Sequence, residues 1–110
     1  MEIKKGQITR IFNGEIITPE KNLGIGTVLI SEGKIIGVEP GNYKVADSVD
    51  YDAKGGFIAP GFIDLHTHGA GGSDFMDCTE EDCLTIAREH LKHGTTLLYP
   101  TPLASDNQEL

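Results

Sequence analysis

The stretch Pro60-Gly61-Phe62-Ile63-Asp64-Leu65-His66-Thr67-His68-Gly69 constrains this chain more than any other. It is an apolar run that ends in two histidines one residue apart. In a β-strand, side chains at i and i+2 share a face. The run therefore predicts a strand that delivers His66 and His68 together at its carboxyl end. Its apolarity is continuous from Phe57 to Leu65, broken only by Pro60-Gly61. That pattern predicts a strand covered on both faces, as in a parallel sheet.

The next thirty residues complete a unit. A glycine-rich loop, Gly69-Ala70-Gly71-Gly72-Ser73-Asp74, leads to Thr79-Glu80-Glu81-Asp82, which has the form of a capping box with Asp for the usual Glu or Gln. Leu84, Ala87 and Leu91 then repeat at helical spacing and predict the buried face of a helix. Acidic residues fill its first turn and Arg88, Lys92 and His93 its last, matching the helix dipole. Gly94 supplies the stop. Thr95 to Pro100 reads as the next strand. Strand, loop, helix and strand make a βαβ unit with parallel strands. In such folds ligands bind at the carboxyl ends of strands, where His66, His68 and Thr101 all fall.

Residues 1 to about 56 have another texture. Short apolar runs alternate with turn residues. Ile8 to Phe12 predicts a strand, Asn13-Gly14 a hairpin turn, and Glu15 to Thr18 its return. Val28 to Ile30 and Ile35 to Val38 flank a turn at Ser31-Glu32-Gly33-Lys34, and Val49 to Ala53 predicts a further strand. The expectation is a small antiparallel β unit. There is no internal repeat and no low-complexity segment.

Two imidazoles at a strand end suit a divalent ion such as Zn or Fe. The plain alternative is a polar pocket lined by two histidines. Asp64 shares their face; it can orient a ligand histidine, or be a structural carboxylate bonded to backbone. A catalytic ion usually takes three or more protein ligands, so the others are expected beyond Leu110. His90 and His93, on the helix, read as structural. The loop from Gly69 to Asp74 either admits a substrate close to the backbone or is a flexible connection; it is no P-loop. Cys78 and Cys83 are placed too far apart around a helix to bridge, and read as core-facing rather than nucleophilic.

A net charge of −8 over 110 residues argues against a nucleic-acid footprint and gives no attraction to anionic membranes. No apolar run approaches the roughly 20 residues of a membrane span, and Met1 to Gly6 lacks a signal peptide's apolar region. A reduced, cytoplasmic protein is expected. A lone βαβ unit cannot bury both faces of its sheet, and Ser105 to Leu110 looks like the start of another helix. The chain thus reads as the N-terminal part of a longer protein.

The run from Asp52 through Pro60-Gly61-Phe62-Ile63-Asp64-Leu65-His66-Thr67-His68 resembles the opening of metal-dependent amidohydrolases. More narrowly, Gly69-Ala70-Gly71-Gly72 with Phe75-Met76-Asp77, and His93-Gly94-Thr95-Thr96 with Tyr99-Pro100-Thr101, resemble the N-acetylglucosamine-6-phosphate deacetylase family. The resemblance covers essentially the whole chain. It implies an α/β architecture: part of a small β-sandwich domain over residues 1–56, then the first βαβ unit of a (β/α)₈ TIM-like barrel over residues 57–110. It implies a divalent metal held in part by His66 and His68, and an amino-sugar phosphate substrate losing its acetyl group. It also implies a general base beyond residue 110 and a homodimer at full length. Another amidohydrolase, such as a dihydroorotase- or hydantoinase-like cyclic amidase, would open similarly. The 110-residue chain by itself is expected to be inactive.

Overall fold

In a computed structural model, the structure describes residues 6–77 and 79–103. Met1 to Lys5, Cys78 and the Ser105–Leu110 helix expectation lie outside the described residues. The chain divides into two compact units, Met1–Pro60 and Gly61–Leu110.

The first unit is one sheet. Strands β1 (Thr9–Ile17), β2 (Asn22–Ser31), β3 (Lys34–Pro40) and β4 (Val49–Asp52) lie in the order β3-β2-β1-β4, and the short β5 (Phe57–Ile58) also pairs with β1. The turn expected at Ser31–Lys34 is present, with Glu32 and Gly33 at φ 49° and 74° joining antiparallel β2 and β3. Two positive φ values in a two-residue loop match the right-handed twist of the flanking strands.

Two expectations are corrected. Asn13-Gly14 is not a hairpin turn: β1 runs straight through it. Asn13 takes φ 57°, and the β1–β2 register shifts between Ile11 and Gly14. The left-handed propensity of Asn-Gly is spent on a bulge. The bulge receives the turn after β4: Gly55 N–H donates to Asn13 O at 2.7 Å and Glu15 N–H to Gly56 O at 2.9 Å. The true reversal is Thr18–Lys21, where Lys21 N–H donates to Thr18 Oγ1 at 3.1 Å. Nor is the unit wholly antiparallel. β4 and β5 both pair with β1 in parallel, Thr9↔Val49 to Phe12↔Asp52 and then Glu15↔Phe57. The short β5 belongs to this sheet and lies within the unit Met1–Pro60.

Ile16, Val28, Leu29 and Val49 are buried here, with Arg10 and Thr27. The buried guanidinium is well supplied with acceptors. Nε and Nη2 donate to the two Asp50 carboxylate oxygens at 2.9 and 2.6 Å, and Nη1 donates to Tyr43 O at 2.8 Å. The group also stacks over Phe12, 4.0 Å from the ring centroid. Thr27 Oγ1 donates to Gly41 O and accepts from Tyr43 N–H, so Tyr43 is clipped by both its N–H and its carbonyl.

The second unit contains β6 (Phe62–Thr67), a tiny hairpin of β7 (Gly69–Ala70) and β8 (Ser73–Asp74), a 3₁₀ turn (Phe75–Asp77), α1 (Glu80–Lys92) and β9 (Thr95–Pro100). β6 and β9 are parallel, as expected, with Ile63↔Leu97 and Asp64↔Leu98. The loop expected at Gly69–Asp74 is the β7–β8 hairpin, turned by Gly71 and Gly72.

The cap is as expected. Thr79 Oγ1 accepts from Asp82 N–H at 3.1 Å, and Asp82 answers to the Thr79 hydroxyl and backbone. Ser73 Oγ also donates to Asp82, at 2.7 Å, tying β8 to the helix start. Gly94, at φ 90°, ends the helix and its carbonyl accepts from Phe62 N–H at the start of β6.

The buried face of α1 differs from the expectation. Leu84, Ala87 and Leu91 are exposed, and Ile86 is fully buried. Ile86 lies about 130° around the helix from their stripe. Ala87 and Leu91 instead border an open hollow lined also by Thr95 and Leu97. Cys83, expected to face the core, is exposed. Phe62, Ile63 and Leu65 of β6 are exposed rather than covered on both faces, because a two-stranded sheet offers no second layer. Among the described residues, no helix is long and apolar enough to cross a membrane.

Candidate functional site

The end of β6 places both histidines as the i, i+2 rule requires. His66 lies in the strand and His68 just beyond it, and their Nε2 atoms stand 3.2 Å apart. The rings are nearly perpendicular, at 82°. His66 is exposed and His68 half-buried.

The surroundings of His68 set its chemistry. Its Nδ1 lies 2.6 Å from the Thr101 carbonyl oxygen. A carbonyl only accepts, so Nδ1 carries the proton, and in the neutral ring the Nε2 lone pair points at His66. Either His66 Nε2–H donates to that lone pair, or the two lone pairs converge on a cation. Thr101 is itself held, its N–H donating to Thr67 O at 2.8 Å, which continues the β6–β9 ladder past Pro100. The acceptor that orients His68 is thus a backbone atom at the end of the neighbouring strand. The sequence places Thr101 at a strand end; only parallel pairing in this register turns its carbonyl into a partner.

Asp64 does not meet either imidazole. One carboxylate oxygen accepts from the backbone N–H of His66 at 3.1 Å, and the other lies 3.3 Å from His90 Nε2. Asp64 is thus bonded to the backbone of His66 rather than to an imidazole of the pair. His90, also read as structural, reaches from the helix with Nδ1 on Ile86 O at 2.9 Å. His93 lies beside Gly71 and Glu89 around a separate shallow hollow.

The pair fits a metal by distance. Two imidazole nitrogens bound to one tetrahedral ion at about 2.05 Å stand roughly 3.3 Å apart, against the 3.2 Å found. A ligand histidine typically gives its other N–H to a carbonyl or carboxylate, as His68 does. Two ligands are not a complete set. Among the described residues, no group of three or more His, Cys, Asp or Glu gathers to hold an ion.

No family model matches the chain. It is 44% identical over 100 residues to an adenine deaminase of Listeria monocytogenes, covering 91% of this chain and 14% of that protein. The chain thus spans about a seventh of the length of such curated relatives, the share being 14%. Among solved structures it matches N-acetylglucosamine-6-phosphate deacetylase from Pasteurella multocida with a TM-score of 0.84 and 26% identity, over 93% of this chain and 27% of that one. The Mycobacterium smegmatis deacetylase shares the fold at a TM-score of 0.79 and 22% identity, over 94% of this chain and 27% of that one.

By this fold and these likenesses the chain matches the N-terminal part of amidohydrolase-superfamily proteins. Within the superfamily its structural likeness is to N-acetylglucosamine-6-phosphate deacetylases, and its sequence likeness extends to proteins named adenine deaminase.

Proposed function

We propose that the protein carrying this chain is a metal-dependent amidohydrolase that removes the acetyl group of N-acetylglucosamine 6-phosphate, with His66 and His68 as two of its metal ligands. The observation that supports this best is the match to the Pasteurella multocida deacetylase over 93% of the chain, with a TM-score of 0.84. The converging Nε2 atoms of His66 and His68 supply the chemistry that such an enzyme needs at this strand end.

A bound divalent ion polarises an amide carbonyl and acidifies a water. The residues of this chain prepare the site for it. Thr101 O keeps the His68 proton on Nδ1, leaving Nε2 as a donor, and β6 aims His66 at the same point. Hydrolysis adds the water oxygen to the acetyl carbon and breaks the C–N bond. The amine takes a proton, and the products are acetate and glucosamine 6-phosphate. The general base and the phosphate-binding groups come from residues outside this chain. The same reading takes the protein to be a cytoplasmic homodimer with a small-molecule substrate and no nucleic-acid or membrane partner, in keeping with its net charge of −8.

The test is acetate release from N-acetylglucosamine 6-phosphate by the full protein, together with metal content. The double variant His66→Ala/His68→Ala should lose bound metal; unchanged content would remove both residues from the ligand set. The isolated 110-residue chain should release no acetate. A second reading, adenine deamination, is favoured by the 44% identity to the Listeria monocytogenes protein. Ammonia release from adenine without acetate release would select it.

A further inference from the structure

We propose that His90 is a positioning residue for the metal-ligand histidines, acting from α1 through the Asp64 carboxylate. The inference rests on the reading that His66 binds metal, and it adds a residue that neither the strand-end motif nor the fold comparison singles out.

The contacts form one continuous path. His90 Nδ1 lies 2.9 Å from Ile86 O, so the ring is anchored to its own helix at the fully buried Ile86. The ring is largely buried, with its side chain 12% exposed. Its Nε2 faces one oxygen of Asp64 at 3.3 Å, and the other oxygen of Asp64 accepts the backbone N–H of His66 at 3.1 Å. Both ring nitrogens of His90 thus face oxygen acceptors.

The path matters because of what it grips. Asp64 could satisfy its carboxylate with water, being only half-buried. Instead the carboxylate holds the peptide between Leu65 and His66. That peptide sets the direction in which the His66 ring leaves β6. His68 has its own anchor, the Thr101 carbonyl. The His66 ring meets His68, and its backbone is where an outer contact can act. A β-strand alone leaves a side chain free among rotamers, and two nitrogens 3.2 Å apart leave little tolerance. Outer contacts of this kind change metal affinity by roughly 10–100-fold when removed.

Two variants of nearly native shape separate the roles of the His90 ring. Asn at position 90 can still reach Ile86 O but is too short for Asp64; Gln can reach Asp64 but gives up Ile86. In the full protein, Co²⁺ binding is followed by visible absorption and by competition with a chelator, alongside thermal unfolding. His90→Asn should weaken Co²⁺ binding about tenfold and alter the absorption band, and His90→Gln should restore most of both. Asp64→Ala should lose as much as His90→Asn, with no further loss when the two are combined. A merely structural His90 would lower the melting temperature in both variants and leave the Co²⁺ band of the folded protein unchanged, which would overturn the proposal. So would an unchanged Co²⁺ affinity in Asp64→Ala, which remains readable if His90→Asn does not fold. If His66→Ala/His68→Ala itself leaves Co²⁺ binding unchanged, the ligand reading has failed and this one falls with it. If that variant loses the ion and the His90 and Asp64 variants do not, only the positioning role is lost.

Discussion

The two units bury themselves by different means. In the five-stranded sheet, burial is shared: Ile16, Val28, Leu29 and Val49 divide the apolar core, and Arg10 and Thr27 close its polar interior with side chain-to-backbone bonds. In the βαβ unit one apolar side chain, Ile86, is buried among the described residues, while Phe62, Ile63, Leu65, Leu97 and Tyr99 stay exposed. The sheet also leaves Ile25, Ile35, Ile36, Val38 and Tyr51 exposed, so the two units differ in how many side chains share the buried core. A two-stranded parallel sheet with one helix covers one patch and leaves the rest for further layers. The unit bearing the candidate metal ligands is therefore the one that depends most on a single residue.

That contrast can be broken most directly at Ile86. Ile86→Ala removes a fully buried side chain and should cost about 4 kcal/mol, seen in thermal unfolding of the full protein and in loss of the protected amides of α1. Ile16→Ala in the sheet should cost less, because its neighbours share the load; equal losses would end the argument that the two cores differ. Next in size is Gly26→Ala. A Cβ there would collide with Ile16 and stand 2.8 Å from Glu39 O, between β2 and β3. Overpacking of this kind should cost about 2 kcal/mol, with the loss confined to the sheet in hydrogen exchange.

Acid tests the sheet's polar clasp. The Arg10 guanidinium, helped by the Ser48 hydroxyl, holds the Asp50 carboxyl down at about 2. A carboxyl lowered by folding adds stability that is complete above its ordinary value near 3.8 and is lost as pH falls through the folded value near 2. Stability of the sheet should therefore decline from about pH 4 to about pH 2, and Asp50→Asn should flatten that limb in a pH series of denaturant midpoints. The smallest effect is at the helix cap. Thr79→Ala should cost about 1 kcal/mol. The Thr79 hydroxyl, with that of Ser73, keeps the Asp82 carboxyl below its ordinary range, so this variant should also lose part of the acid sensitivity of α1. An unchanged acid response would mean the cap adds nothing to it.

Much of the molecule is legible in local pattern. The turn at Glu32-Gly33 needs two residues tolerant of positive φ, and the helix from Glu80 to Lys92 carries its start in Thr79 and its stop in Gly94. The convergence of His66 and His68 follows from the period of a strand. Asn13-Gly14 misleads because left-handed propensity is a property of two residues, whereas hairpin or bulge depends on what lies across the strand. The stripe of Leu84, Ala87 and Leu91 misleads because periodicity marks an apolar face without saying which layer meets it.

Local pattern in the sequence carries the turn at Glu32-Gly33, the helix with its caps and the pairing of two imidazoles at one strand end, all consequences of contacts a few residues apart. Only the tertiary structure decided the parallel seating of β4 and β5 on β1, the choice of Ile86 as the buried face of α1, the Thr101 carbonyl that sets the His68 tautomer, and the link from His90 through Asp64 to His66. His68 and Thr101 lie 33 residues apart in the chain, as far as Arg10 lies from Tyr43, and strand register, not local propensity, brings such groups within reach.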